Sequence, residues 1–138
     1  MSDDAIRALF DKWERVWNEG QHGLISECVS DVHIRHDGAG TRRMTQEEYL
    51  QEVVTAKQNR PNTHVVVYDH TIAGDRAWFR FGLTWNDAIS GMRRTRAGMA
   101  LWRIEDGRMA ESWLALLERG SRWPDGEGQK RWTMQRRP

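Results

Sequence analysis

The sequence holds little of what would tie a protein to a disulfide framework, a membrane or a polyanion. Cys28 is the single cysteine in 138 residues, which excludes an intrachain disulfide and a cysteine-built metal site. No run of 18 apolar residues occurs, so no membrane-spanning helix is expected. No early apolar stretch of signal-peptide type is present, and the expectation is a soluble, cytoplasmic protein. Histidines are few. His33 and His36 lie three apart, which on a strand sends them to opposite faces, and His22, His64 and His70 have no ligand-like neighbours in sequence. No metal site is therefore expected. There is no Gly-rich phosphate loop and no nucleophile-elbow motif, and no cofactor is expected either. Neither sign of charge dominates, since 21 basic and 20 acidic residues leave a net charge of +1. That balance hides an asymmetry. Arg119 to Pro138 holds six basic and two acidic residues, or +4, while Met1 to Glu118 holds 15 and 18, or −3. The body thus lacks the basic footprint of a nucleic-acid binder.

Tryptophan is what the chain has in excess: eight, against two tyrosines and three phenylalanines. A chain of this length is one domain and buries roughly 65–70% of its extended surface. Eight indoles exceed what such a core needs, so some are expected in a cavity wall or an interface.

The strongest structural signal is the stretch from Thr95 to Leu117, two long strands joined at Glu105-Asp106-Gly107-Arg108. Asp-Gly marks a tight hairpin, because both residues tolerate positive φ. Apolar residues fall on both faces of both strands, the pattern of a strand covered on two sides. Upstream, Ile6, Leu9, Phe10, Trp13 and Trp17 recur at three- and four-residue steps, predicting a helix that Gly20 ends. A short second helix turns Leu24, Ile25 and Cys28 inward. From Asp31 to Gly38 the pattern has period two. Val32, Ile34 and His36 share one face, and His33, Arg35 and Asp37 share the other. Gly38-Ala39-Gly40 reads as a loop. Thr45 with Glu48 is a capping-box signature opening a third helix, which turns Tyr49, Leu50, Val53 and Val54 inward and ends before Pro61. Strands follow over Thr63–Ile72 and Ala77–Trp85. Residues 1–122 read as one domain and Trp123–Pro138 as a polar, basic, extended tail. Helices on one face of a curved, mainly antiparallel sheet make an α+β domain.

This order of elements resembles the nuclear-transport-factor-2-like superfamily, and within it the SnoaL-like polyketide cyclase and ketosteroid isomerase group. The resemblance spans about residues 5 to 118. Its carriers are Asp31-Val32 leading to His36-Asp37-Gly38, the Thr45 helix, and Leu101-Trp102-Arg103-Ile104-Glu105-Asp106-Gly107-Arg108 running into Glu111-Ser112-Trp113. It implies a cone-shaped α+β barrel of the cystatin or NTF2-like kind, with an apolar cavity, and a homodimer paired through the outer sheet face. Isomerases of the group carry a carboxylate base at the end of the first strand. Alternation places His36 there, and an ungapped match from the first helix places Asp37 there, with Trp13 at a hydroxyl-donor position. Inward apolar neighbours favour His36. The isomerases' second acid falls near Ala100, which donates no proton.

The resemblance and the residues together suggest a small cofactor-independent enzyme. It would shift a proton on a small, largely apolar carbonyl compound by general acid/base catalysis, giving isomerisation, cyclisation or dehydration. The alternative is a binding or protein-interaction module of the same fold. Imidazole titrates near neutral pH, which suits His36 to acid/base work beside Asp37. Glu111, in phase with Met109 and Trp113, is the candidate proton relay. Asp69-His70 is a weaker pair of the same kind. Trp13, Trp17, Tyr49, Trp85, Trp102 and Trp113 are the candidate ligand-binding walls, and helical spacing also fits Trp13 as plain core. Arg93, Arg94 and Arg96 read first as a solvated strand edge and second as an anion clamp. Lys130-Arg131-Trp132 with Arg136-Arg137 is the basic-aromatic mix of single-strand binders. A tail so short is expected instead to be disordered or folded back on its own domain.

Overall fold

The computed structural model describes residues 1–134. Helix α1 spans Asp3–Glu19. Its first turn is closed by the Ser2 hydroxyl, which accepts from the Ala5 amide at 3.1 Å, and its last by Gly20 at φ 69°. Ile6, Leu9, Phe10, Trp13 and Val16 form its buried stripe. A 3-10 turn (His22–Leu24) and the short α2 (Ile25–Cys28) follow. Strands β1 (Val29–Asp37) and β2 (Gly40–Thr45) precede α3 (Gln46–Asn59), whose start carries the full capping box of Thr45 and Glu48. Strands β3 (His64–Ala73), β4 (Arg76–Asn86), β5 (Arg93–Glu105) and β6 (Arg108–Leu116) complete the order. The closing turn has Asp106 at φ 51° and Gly107 at φ 78°, the backbone that the Asp-Gly pair supplies.

Strand β2 departs from the sequence reading, which ran a loop straight into α3. It pairs antiparallel with β1 across Val32–Asp37, and only Met44 of its residues is buried. A polar edge strand carries almost no apolar alternation, so periodicity misses it. The sheet runs β2-β1-β6-β5-β4-β3 and is antiparallel except at β1–β6. It stays open, a curved wall rather than a closed barrel, and the helices fill its concave side.

Two irregularities set which side chains reach that concave side. At the β5–β6 pairing, Ile104 faces Met109 while Arg103 faces Glu111, so Ala110 is an extra, unpaired residue. Beyond this bulge Ser112, Leu114 and Leu116 point inward with Trp102, Ala100 and Gly98. Glu111, Trp113 and Ala115 point outward with Arg103, Leu101 and Met99. A register shift between Val29 and Ile34 acts similarly on β1, where Val29 and His33 are fully buried and Val32 is 44% exposed. The expected phase of this strand is therefore inverted. His33 and Arg35 face the concavity, and Ile34 and His36 face out.

The segment after residue 122 folds back over the sheet. The Trp123 indole N–H donates to the Phe81 carbonyl at 2.8 Å, and Arg80 holds Asp125 through two bonds at 2.7 and 3.0 Å. Trp132 then enters the core at 7% exposure, its indole N–H donating to Val65 O and its amide to Glu14, each at 3.0 Å. Arg131 pairs with Asp11 and Glu14. The basic pair Arg136-Arg137 lies outside the described residues.

Candidate functional site

The concave face encloses a cavity of about 1290 Å³ between α3 and the sheet. Its walls include Trp13, Trp17, Tyr49, Trp102, Phe79 and Trp132. The aromatic rings pack edge to face: Trp13 lies 5.4 Å from Tyr49, 5.9 Å from Trp102 and 6.2 Å from Trp17. Trp13 and Tyr49 are all but buried, at 2% and 3% exposure, so the ring surface open to a flat ligand is that of the partly buried Trp17 and Trp102. Hydrogen bonding within the described residues does not use the indole N–H groups of Trp13, Trp17 and Trp102. The Tyr49 hydroxyl, pushed up to about 12 by burial, stays protonated. The aromatic wall thus carries neutral donors.

At the floor stands a polar chain that sequence reasoning missed. His33 is fully buried, with Nδ1 2.9 Å from the Met109 carbonyl and Nε2 2.8 Å from Ser112 Oγ. A carbonyl only accepts, so Nδ1 carries the hydrogen. Burial lowers the His33 pKa, against the opposing pull of the Met109 carbonyl and with help from the Arg35 charge. In the resulting neutral ring, Nε2 accepts the Ser112 hydroxyl proton. Ser112 lines the cavity and His33 stands behind it, packed against Tyr49 and Trp102 at 5.2 and 5.8 Å. A hydroxyl bonded to an imidazole that a third group orients is an arrangement that activates oxygen. One signal was available in sequence: Ser112 shares its strand phase with Leu114 and Leu116.

Arginine lines one end of the cavity, where Arg35 contacts Asp37 at 3.1 Å and Glu52 at 3.4 Å, and Arg42 contacts Glu52 at 2.7 Å. For Asp37, burial works to raise the pKa, but the Ala39 amide, Arg35 and Arg42 outweigh it and lower the value. Asp37 is thus a neutralised carboxylate at the strand end and a weak base.

His36, Glu111 and Trp113, expected in the cavity, sit on the opposite face of the sheet. His36 Nε2 donates to Glu111 at 2.6 Å, the ring stacks on Trp113 at 5.1 Å, and Arg103 bonds Glu111 at 3.1 Å. The bond from His36, partly countered by desolvation and reinforced by Arg103, lowers the Glu111 pKa. Trp85 does not border the cavity; Arg60, which does, lies over its ring at 5.2 Å. Asp69 and His70 border a shallower groove on the outer face, where Gln129 accepts from His70 at 3.1 Å. Among the described residues no cluster of metal-ligating side chains occurs, and no helix is long and apolar enough to cross a membrane.

No protein-family model and no curated protein matches the sequence. Solved structures do match in shape. One is a candidate polyketide cyclase from Acidithiobacillus ferrooxidans, at TM-score 0.74 and 16% identity, over 84% of this chain and 91% of that one. IdmH, a candidate polyketide cyclase from Streptomyces antibioticus, aligns at TM-score 0.71 and 17% identity over 80% and 90%. A Catenulispora acidiphila protein with a ketosteroid isomerase-like fold, solved with trimethylamine, aligns at 0.65 and 16% over 77% and 82%. The chain therefore has the nuclear-transport-factor-2-like α+β fold, in the form seen in SnoaL-like structures. At these identities the likeness establishes architecture and no activity.

Proposed function

We propose that this protein takes a small, largely apolar carbonyl compound into the aromatic cavity and moves a proton on it by general acid/base catalysis without a cofactor. The observation that carries this reading is the Met109 carbonyl–His33–Ser112 chain ending at the cavity floor. Ser112 Oγ accepts a proton from the enol or activated carbon of the substrate while passing its own to His33 Nε2. The substrate becomes an enolate and His33 an imidazolium. Indole N–H groups and the Tyr49 hydroxyl hold the enolate oxygen. Return of the proton from His33 through Ser112 to a different atom completes an isomerisation; in a cyclisation the enolate carbon first attacks a second carbonyl of the same molecule, and the alkoxide formed takes the proton.

The test is deuterium exchange at the acidic carbon of cyclic 1,3-diketones and aryl ketones, followed by NMR in D2O. Acceleration by the wild type and a loss of roughly 10²–10⁴-fold in Ser112→Ala, with binding retained, is the expected outcome. Exchange that is indifferent to Ser112 removes the dyad from the chemistry.

A second reading, ligand binding without turnover, is favoured by one observation. Both carboxylates at the arginine-lined end, Asp37 and Glu52, are ion-paired. Tight binding with no exchange for any ligand would select it. The outer sheet face is proposed as the surface on which two copies pair, supported by the half-exposed Trp78 and Met99 beside Trp113 and Leu101.

A further inference from the structure

The two ends of the cavity differ in charge balance. At the β1–β2 end, Arg35 and Arg42 are matched by Asp37 and Glu52. At the other end, Arg60 caps α3 and borders the cavity with its guanidinium over Trp85. Arg96 stands directly across from Leu83 in the β4–β5 register, and Leu83 is a cavity residue, so Arg96 shares the concave face. Its Nε is taken by the Leu117 carbonyl, which leaves the outer pair of nitrogens for another acceptor. The chain after β6 runs alongside, with Leu117 N bonded to Ala97 O and Gly120 N to Thr95 O, each at 2.9 Å. This places Glu118 and Arg119 beside Arg96.

Burial, then the charges of Arg96 and Arg119, lower the Arg60 pKa, so the three cations feel one another. None of the three forms an ion pair among the described residues, whereas the neighbouring Arg94 is paired with Asp87 and Arg93 is bonded to Asn86 and Thr84. Arg60 borders the cavity, Arg96 and Arg119 stand near it beyond the lining, and three guanidinium groups so placed without an ion-paired carboxylate among the described residues repel one another. An external anion relieves that repulsion, and guanidinium forks match its oxygens two at a time.

We infer that Arg60, Arg96 and Arg119 form an anion-binding site, and that the ligand is an amphiphile with a flat apolar body and one anionic head. This deepens the proposed function and rests on the cavity being a ligand site. Trp102, the partner of Ser112, lies six positions along β5 from Arg96, or about 20 Å of strand. Between them the concave face presents Gly98, Ala100, Leu114 and Leu116. A rigid apolar body therefore separates the anionic head at the mouth from the oxygen at the floor.

The test uses two dyes on the full chain. One is 8-anilinonaphthalene-1-sulfonate; the other is N-phenyl-1-naphthylamine, the same skeleton without the anion. Binding is read by fluorescence at low and moderate salt. The sulfonate is expected to bind wild type in a salt-sensitive manner. It should lose about 10- to 100-fold in the combined Arg60→Gln, Arg96→Gln and Arg119→Gln variant, the range for a charge-assisted contact. The uncharged dye should change by less than about twofold. Arg119→Gln alone, at an exposed position, should move the sulfonate the same way by a smaller factor. Displacement of the sulfonate by 1-naphthoate or 1-naphthyl phosphate supports the site, and the stronger competitor names the head. Equal displacement by 1-naphthamide overturns it, as does a variant that weakens both dyes alike or neither. If the uncharged dye binds and the sulfonate ignores the arginines, this site alone is lost. If neither dye binds wild type, the ligand cavity is lost with it.

Discussion

Replacing Trp132 by alanine tests how the folded-back segment contributes. The indole is 7% exposed, packed into the core cluster, and bonded to the Val65 carbonyl. Truncating a buried aromatic costs about 3–5 kcal/mol, and the Val65 carbonyl keeps its bond from the Asn18 amide at 2.9 Å, so the lost indole bond adds little. Two features hold the loss near the lower figure. The vacated volume opens into a cavity that water can enter, and the segment keeps its separate anchors at Trp123 and Asp125. A loss of about 3 kcal/mol lowers Tm by roughly 10 °C in a domain of this size. Calorimetry measures the shift, and tryptic cleavage at Lys130 and Arg131 should quicken in parallel. Trp132→Phe keeps most of the bulk and loses one bond, so it should cost about 1–2 kcal/mol. An alanine variant within about 0.5 kcal/mol of wild type, cut no faster at Arg131, would refute the seating of this side chain.

Two further outcomes follow from the charge and surface arrangement. Because burial lowers the His33 pKa below its ordinary 6.5, the unfolded chain takes up the proton more readily than the folded one. The stability from His33 is therefore present above about pH 6.5 and drains away below it, by at most about 1.4 kcal/mol per pH unit. Urea midpoints between pH 7.5 and 5 should fall less in His33→Gln than in wild type, and parallel curves would contradict the assignment. On the outer face, Trp78→Glu should shift a dimer to monomer in sedimentation velocity with the fold intact; a wild-type monomer at all concentrations would end the pairing proposal.

The parts of the fold legible in sequence are those set by local chemistry. Asp106-Gly107 specifies its turn, Thr45 and Glu48 specify a helix start, and Gly20 a helix end, because each acts through its own backbone. The site was less legible. The choice of His36 over Asp37 as the strand-end base assumed that apolar neighbours mark the inside. Here the outer face carries Ile34, Leu101 and Trp113, and the inside holds a polar site, so alternation pointed the wrong way round. Glu111 was placed with Met109 by simple period two, and the bulge at Ala110 breaks that period. Trp132 lies nine positions after Trp123 in a polar, glycine-bearing segment, and anchors so sparse leave no periodic trace. The cavity walls at Trp13, Trp17, Tyr49 and Trp102 were legible because helix and strand spacing there is regular.

The unpaired position at Ala110 makes this strand unequally tolerant of length change. Losing that residue would relax a kink yet keep Arg103 opposite Glu111 and every partner beyond, so the serine would still look into the hollow. Losing one residue beyond Ser112, such as Trp113, has no such slack beside it, and Leu114 and Leu116 would turn to the exterior. In relatives of different length, an indel at 110 is the kind this scaffold can accept.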